Sequence, residues 1–515
     1  MTEQRKSWLA LATLFSILLV LAALRPLAVP DEGRYGEIGR WMLHSGDWLT
    51  PRLNGIPFFH KPPYLYWLEA ASLAVFGVNA WATRVAPALH AALMLLAMYA
   101  AVRRFATEAL ARRAVWMLGS SLTFLLGGQY VNHDMLVAAW IGVAIWCFAL
   151  AFMHGDKPDA ALARWGFVAC ALGLLSKGLI GVALPGLVLL IWLVWTRQLK
   201  KIVYLPWLSG LALFAVITLP WFWYTEQQFP GMLDYMFGKH QVSRFTTTIF
   251  NNARPWWFYA PCLVALLFPW LFLVPNQAFS QAGRARPAIN FIANAWPALC
   301  WIWVLAIIGF FSIPSSKIIG YAFPVMAPLA VLAAMGWDDA MMRLDRFGLA
   351  RRTQQKLFAS LCALSIGIAI AGNTAAARYI ENYSSQDVAQ ALQEAGAQPS
   401  DTIYLLGDYA YDLPFYRQAS TPMIVIQDWP ALRRSASDDW QHELLDGTDF
   451  EASSGAVLQG PEMLVQPGMK TPIWVVSSHD TPVTGFVRIF KGSDWSLYRP
   501  EPAIGSAPEG PIPAK

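Results

Sequence analysis

The chain has 515 residues, of which 56% are hydrophobic and only 14% charged, against about 25% charged in an ordinary soluble protein. That composition excludes a soluble enzyme. The net charge of +5 does not point to nucleic acid, because Lys and Arg sit mainly in short loops between apolar runs, where they orient a membrane protein.

The apolar residues cluster in runs of about 18–22, the length that crosses a ~30 Å hydrocarbon layer. Eleven candidate spans follow in chain order: 8–28, 85–102, 114–128, 135–153, 166–176, 179–195, 206–224, 257–274, 296–312, 318–336 and 357–373. The first is flanked by Arg5 and Lys6 and is followed by no small-residue cleavage site, so it reads as an uncleaved helix. With the N-terminus cytoplasmic, every inner loop between spans carries at least two basic residues, from Arg103, Arg104, Arg112 and Arg113 to Arg343, Arg346, Arg351, Arg352 and Lys356. Eleven spans then put the C-terminus outside. Residues 1–378 form the expected transmembrane domain, with a long first outer segment at 29–84 and an outer loop at 225–256. Beyond residue 373 the pattern changes to short apolar runs at 402–406, 423–426, 473–476 and 486–490, with a helical stretch at 387–394. This predicts a small α/β domain over 379–500 on the outer side. Residues 501–515, rich in Pro, Gly and Ala, are expected to be disordered. The five cysteines lie in or beside apolar runs without CxxC spacing and read as small core hydrophobes.

The unusual polar residues gather on the outer side. The first outer segment opens with Pro30-Asp31-Glu32-Gly33-Arg34-Tyr35, continues as an amphipathic stretch over 35–43, and reaches His60-Lys61-Pro62-Pro63. A second acid stands in Asn132-His133-Asp134 at the edge of an apolar run. A carboxylate there is costly unless paired or wet, which makes Asp134 a functional candidate; its bland reading is a helix cap. Cations collect at Lys177, at Lys239, His240, Arg244 and Arg254 in the second outer loop, and at Lys317 before Tyr321. Convergent cations suit an anionic headgroup, while interfacial snorkelling is the competing explanation. Trp256, Trp257 and Tyr259 read as interface anchors. His60, His133 and His240 show no HxxxH or comparable spacing, so no metal and no other cofactor is required, a divalent ion being the lesser reading.

The run Pro30-Asp31-Glu32-Gly33-Arg34-Tyr35, then Gly46-Asp47-Trp48-Leu49-Thr50-Pro51-Arg52-Leu53-Asn54-Gly55, then Lys61-Pro62-Pro63 and Tyr66-Trp67, closely resembles the bacterial 4-amino-4-deoxy-L-arabinose lipid A transferases. Asp134, Lys177-Gly178 and the stretch from Ser316-Lys317 to Tyr321-Ala322-Phe323-Pro324 extend the likeness over most of residues 1–340. These transferases are GT-C glycosyltransferases, in one superfamily with the protein O-mannosyltransferases. The resemblance implies an all-α polytopic GT-C membrane fold, of about eleven spans here and up to thirteen in the family, with a periplasmic active site in the bacterial inner membrane. It implies a sugar taken from a polyprenyl-phosphate donor such as undecaprenyl phosphate. Asp31 stands in the position of the family's first-loop acid, with Glu32 beside it; Tyr35, Lys61 and Tyr321 match positions near the donor phosphate, and Asp134 a second acidic position. The chain departs from the family at His60, where members often carry an acid.

The residues themselves allow the same chemistry. A polyprenyl-phosphate sugar needs no nucleotide loop; Lys61 with Arg254 or Lys317 could stabilise the leaving phosphate, and Asp31 could act as general base on an acceptor hydroxyl. With a lipid A phosphate as acceptor no strong base is needed. Arg34, His60, His133, Lys177, His240 and Arg244 complete the candidates. Lipid A, another envelope glycan and a protein hydroxyl all stay open as acceptors. A lipid-linked-sugar transporter would place its polar residues near the bilayer midplane, and a scaffold would not need edge carboxylates facing a cation cluster.

Overall fold

The computed structural model describes residues 2–243, 253–276, 291–346, 348, 350–435, 441–465, 473–478 and 483–501. They divide into two compact units.

The first unit takes residues 1–24, 61–65 and 84–374, and it is helical because its sequence leaves no alternative. In a hydrocarbon layer every backbone N–H and C=O must be satisfied within the segment, which an apolar run does by forming a helix. Eight described helices are long and apolar enough to cross a membrane: Glu3–Ala22, Ala80–Phe105, His133–Phe152, Ala160–Lys177, Trp207–Gln228, Ala295–Ser312, Ile319–Asp345 and Arg351–Glu381. A bent pair, Tyr259–Leu267 with Trp270–Asn276, makes a ninth if it is one span. The two remaining expected runs fall on the pair Glu108–Gly119 and Leu122–Gly127 and on the 16-residue helix Ile180–Trp195. The run 166–176, short in the hydropathy pattern, is the greater part of an 18-residue helix, since Arg164 interrupts the apolar run but not the backbone.

Polar caps set the helix ends. Thr107 accepts from Leu110 N at 3.2 Å, Asn132 from Asp134 N at 2.9 Å and Asp159 from Leu162 N at 2.8 Å, each meeting an N–H that the first turn would leave orphaned. Inside the unit, His133–Phe152 and Ile319–Asp345 are the most buried spans. Helices Ala160–Lys177 and Ile180–Trp195 approach backbone to backbone: a Cβ on Gly181 would lie 2.3 Å from the carbonyl carbon of Gly173, the small-residue contact that membrane helices use in place of a hydrophobic drive. The turn between them is Gly178, at φ +96° and ψ −152°, a conformation closed to residues with a Cβ.

The second unit takes residues 25–60, 66–83 and 375–515. Strands β1 (Arg52–Leu53) and β2 (Ile56–Pro57) form a hairpin whose turn, Asn54-Gly55, has φ +53° and +78°, as a two-residue turn with both centres left-handed requires. The Asn54 amide donates to Met423 O at 2.8 Å and accepts from Met423 N at 2.7 Å, which ties the β1–β2 hairpin to the C-terminal sheet. That sheet has β3 (Ile403–Leu406), β4 (Ile424–Ile426), β5 (Leu458–Gln459), β6 (Trp474–Ser477), β7 (Phe486–Lys491) and β8 (Ser496–Pro500) in the order β5-β4-β3-β6-β8-β7. The first four strands pair in parallel and β8 and β7 pair antiparallel at one side. Tyr404, Ile426, Val475, Val483 and Tyr498 fill its core. The expected strands and the helix Gln386–Glu394 are present; β5 and β8 come in addition. Beyond Glu501 the expected disordered tail lies outside the described residues.

Asp412 is buried in this unit and accepts from Ser384 Oγ at 2.7 Å and from Ser385 Oγ at 2.6 Å and N at 3.1 Å. Burial nevertheless dominates and pushes its carboxyl up to about 6. The folded form therefore holds its proton to higher pH than the unfolded chain, so the contribution to stability is greatest below pH ~4 and falls as pH rises to ~6, by about 3 kcal/mol. Thermal unfolding of wild type and Asp412→Asn between pH 4 and 7 is expected to show the wild type losing stability relative to the variant across that window. Parallel profiles would overturn the assignment.

Candidate active site

In the second unit the helix Asp31–Ser45 starts at Asp31 itself, four residues before the amphipathic stretch read from the sequence. Pro30 followed by two acids in the first turn favours a helix start there, and Gly46 at φ +74° ends it. Asp31 keeps 30% of its side chain exposed and accepts from Arg34 Nη2 at 2.7 Å. Arg34 is 2% exposed, and the same nitrogen lies 3.0 Å from the Tyr35 hydroxyl, with the guanidinium 4.6 Å from the Tyr35 ring centroid. Its other terminal nitrogen is paired with Glu443, far along the chain. His60 Nδ1 stands 3.7 Å from the second oxygen of Glu443, its ring stacked on Phe58. Carboxylates on both sides hold Arg34 protonated well above the ordinary guanidinium range in spite of its burial.

Glu32 has a different environment. It is fully buried, paired with both terminal nitrogens of Arg25, and accepts from Ala28 N at 2.9 Å. Its neighbour in the next turn, Glu37, is bound end to end by Arg40 at 2.6 and 2.7 Å. These buried pairs fix the helix in place. They satisfy charges rather than present them, because removing one partner of such a pair costs far more than the pair gains.

In the first unit Asp134 is the second residue of helix His133–Phe152 and is ion-paired with Lys177. Asn132 Nδ2 donates to Asp134 Oδ2 at 3.0 Å, and His133 Nδ1 bonds the carbonyl of Ser176 at 2.7 Å. The Lys177 ammonium lies 4.9 Å from the ring centroid of Tyr321, which stacks on Phe311. Gly320 leaves room for this carboxylate: a Cβ there would come within 2.2 Å of Asp134 Oδ2. Asp134 is thus not the cap, a task its neighbour Asn132 performs. Lys317 is buried, donates to the carbonyls of Arg254, at 3.1 Å, and of Pro314, and has its ammonium pushed down by burial. The Arg254 side chain is exposed, and its backbone N donates to Ser315 O at 3.0 Å. Lys61 is half-buried, three residues before Tyr64, whose ring lies edge-on to those of His90 and Trp140. His240 falls in the π-helical stretch Asp234–Ser243, and Arg244 lies outside the described residues. The structure therefore groups Asp31, Arg34, Tyr35 and His60 in one unit, and Asp134, Lys177 and Tyr321 in the other.

Residues 6–236 match the family model described as dolichyl-phosphate-mannose-protein mannosyltransferase. The chain is 34% identical over 319 residues to undecaprenyl phosphate-alpha-4-amino-4-deoxy-L-arabinose arabinosyl transferase 2 of Pseudomonas fluorescens, a match covering 61% of this chain and 53% of that protein. It is 31% identical over 334 residues to the arabinosyl transferase of Pseudomonas aeruginosa, covering 64% and 59%. The chain thus spans less than two thirds of these relatives' length. The crystal structure of ArnT from Cupriavidus metallidurans, solved with undecaprenyl phosphate, superposes with a TM-score of 0.79 at 24% identity over 95% of this chain and 97% of that one. The chain has the GT-C fold. A second protein, the oligosaccharyltransferase of Archaeoglobus fulgidus, aligns over 92% of this chain with a TM-score of 0.53 at 16% identity. The GT-C fold and the apolar helices make this a multi-pass membrane protein.

The sequence alone does not single out Glu443 or Arg25. Neither has a local signal. Glu443 lies in the first turn of the short helix His442–Thr448, where an acid reads as ordinary helix chemistry.

Proposed function

We propose that the chain transfers a sugar from a polyprenyl-phosphate donor to an acceptor on the periplasmic side of the inner membrane, and that the acceptor is lipid A, with an aminoarabinose as the sugar. One observation carries the reading: a GT-C fold that covers nearly the whole chain presents Asp31 at the head of a helix, partly exposed and backed by a buried arginine. The acceptor oxygen attacks the anomeric carbon, the bond from that carbon to the phosphate oxygen breaks, and polyprenyl phosphate leaves with the electron pair. A hydroxyl acceptor would give its proton to Asp31. A phosphate acceptor is already largely ionised and needs no strong base, and Asp31 would then orient it or hold the sugar's amino group. Lys61, Lys177 and Arg254 are the cations we assign to the phosphate, and Tyr35 and Tyr321 the hydroxyls, because fixed donors aimed at developing charge lower a barrier without reorganising. Lys317, held by two backbone carbonyls, shapes the loop that carries Arg254. Glu32 keeps the helix start in register. The reaction as drawn uses no metal or other cofactor. The basic inner loops support a cytoplasmic N-terminus and an outward-facing site.

The protein mannosyltransferase family match over residues 6–236 favours a second reading, transfer to a protein hydroxyl. Mass spectrometry of lipid A from cells with and without the protein separates them. An added aminopentose on a phosphate is the expected result. Unchanged lipid A, with a sugar lost from a secreted protein, would keep the chemistry and move the acceptor.

A further inference from the structure

The first unit also holds a cleft remote from Asp134 and Lys177. It has a volume of about 410 Å³ and lies where helices Glu108–Gly119, Met326–Asp345 and Arg351–Glu381 meet. Tyr321 and Trp337 are sixteen residues apart along one continuous helical stretch, Ile319–Asp345, so the cleft is more than about 20 Å from the Lys177 cluster at 1.5 Å per residue.

Three arginines, Arg112, Arg113 and Arg351, line it together with the amides Gln354 and Gln355 and the rings of Trp116, Trp337 and Phe358. Two acids face the arginines: Arg112 Nη1 pairs with Glu3 at 2.7 Å and Arg113 Nη2 with Asp338 at 2.5 Å. Both pairs use terminal nitrogens, and Arg113 Nε is buried without a hydrogen-bond partner among the described residues. Arg351 has no ion pair among the described residues, and it stands in the first turn of its helix, where the dipole makes a cation unwelcome. A cation placed against the helix dipole, with two further guanidinium groups on the same cleft wall, suits an anion with several acceptor oxygens. The aromatic wall belongs at the boundary between headgroups and acyl chains, so the anion is tethered to a lipid.

We propose that this cleft binds the phosphodiester headgroup of an anionic phospholipid in the leaflet opposite the transfer site. Arg351 contacts the phosphate oxygens, the glutamine amides donate alongside, and Trp116 and Trp337 line the glycerol end. Basic pockets between membrane helices on the positive side take anionic lipids by this chemistry.

The test uses the full chain purified in a neutral detergent and its thermal unfolding. Added phosphatidylglycerol is expected to raise the unfolding temperature, and phosphatidylcholine of the same acyl chains is not. Arg351→Gln, which removes an exposed cation from a helix start and leaves the fold intact, is expected to weaken the phosphatidylglycerol response about tenfold in midpoint concentration, as the loss of one charge-assisted contact would. Arg112→Gln/Arg351→Gln is expected to abolish it. Equal responses to both lipids, or an unchanged phosphatidylglycerol midpoint in Arg351→Gln, would overturn the proposal. So would inorganic phosphate reproducing the whole response without lipid, which would assign the cleft to a soluble anion.

Discussion

Asp31→Asn is expected to reduce transfer by a factor of about 10², the cost of misplacing a reacting group by about 1 Å, while the protein still inserts and folds. The expectation rests on how little else changes. The asparagine oxygen can still accept from Arg34 Nη2, which lies 2.7 Å from the present carboxylate, so the helix start keeps its geometry and loses only the negative charge. Single-turnover transfer from a polyprenyl-phosphate sugar, measured beside donor binding, separates the two. Binding should survive and turnover should not. Full activity in this variant would remove Asp31 from the chemistry and with it the mechanism above.

The second large effect is expected at Arg34, and it should be structural first. This guanidinium is almost wholly buried between Asp31 and Glu443. Arg34→Gln would leave two carboxylates facing each other around a neutral amide, and breaking a buried pair in this way costs about 3–5 kcal/mol. Chemical unfolding should register that loss, and transfer should fall with it because Asp31 is no longer oriented. Adding Glu443→Gln to the variant removes one of the stranded charges and should restore part of the stability, although not the transfer. Additive losses in the double variant would show that the pair is not coupled.

How far the molecule could be read from its sequence depends on what imposed each feature. The bilayer demands about twenty apolar residues for every crossing, so each expected run in the first unit coincides with described helix or a pair of helices. Helix ends were less legible: Arg164 hid the first turns of Ala160–Lys177, and a helix starting at Asp31 was signalled by Pro30 and two acids but not taken. The C-terminal strands with continuous apolar runs stood out, whereas β8, which mixes Tyr498 and Leu497 with Arg499 and Pro500, did not. The site was half visible. Asp31, Arg34, Asp134 and Lys177 are unusual where they stand, because a charge beside an apolar run needs a reason. Their partners are another matter. That Lys177 reaches Asp134, or that Glu443 closes on Arg34 from 409 residues away, depends on tertiary approach, for which a local pattern carries no record.

The backbone contact between Gly173 and Gly181, on either side of the Gly178 turn, bears on how Lys177 meets a ligand. A lysine on a loose loop gives up about 2 kcal/mol of side-chain entropy when an anion stills it. Here the hairpin is closed against itself, and the ammonium is already held by Asp134 and the Tyr321 face, so that ordering has largely happened during folding. The corollary is a fixed reach: a cation this constrained cannot follow a ligand that is a bond longer or shorter, and it selects by position where a mobile one would adapt.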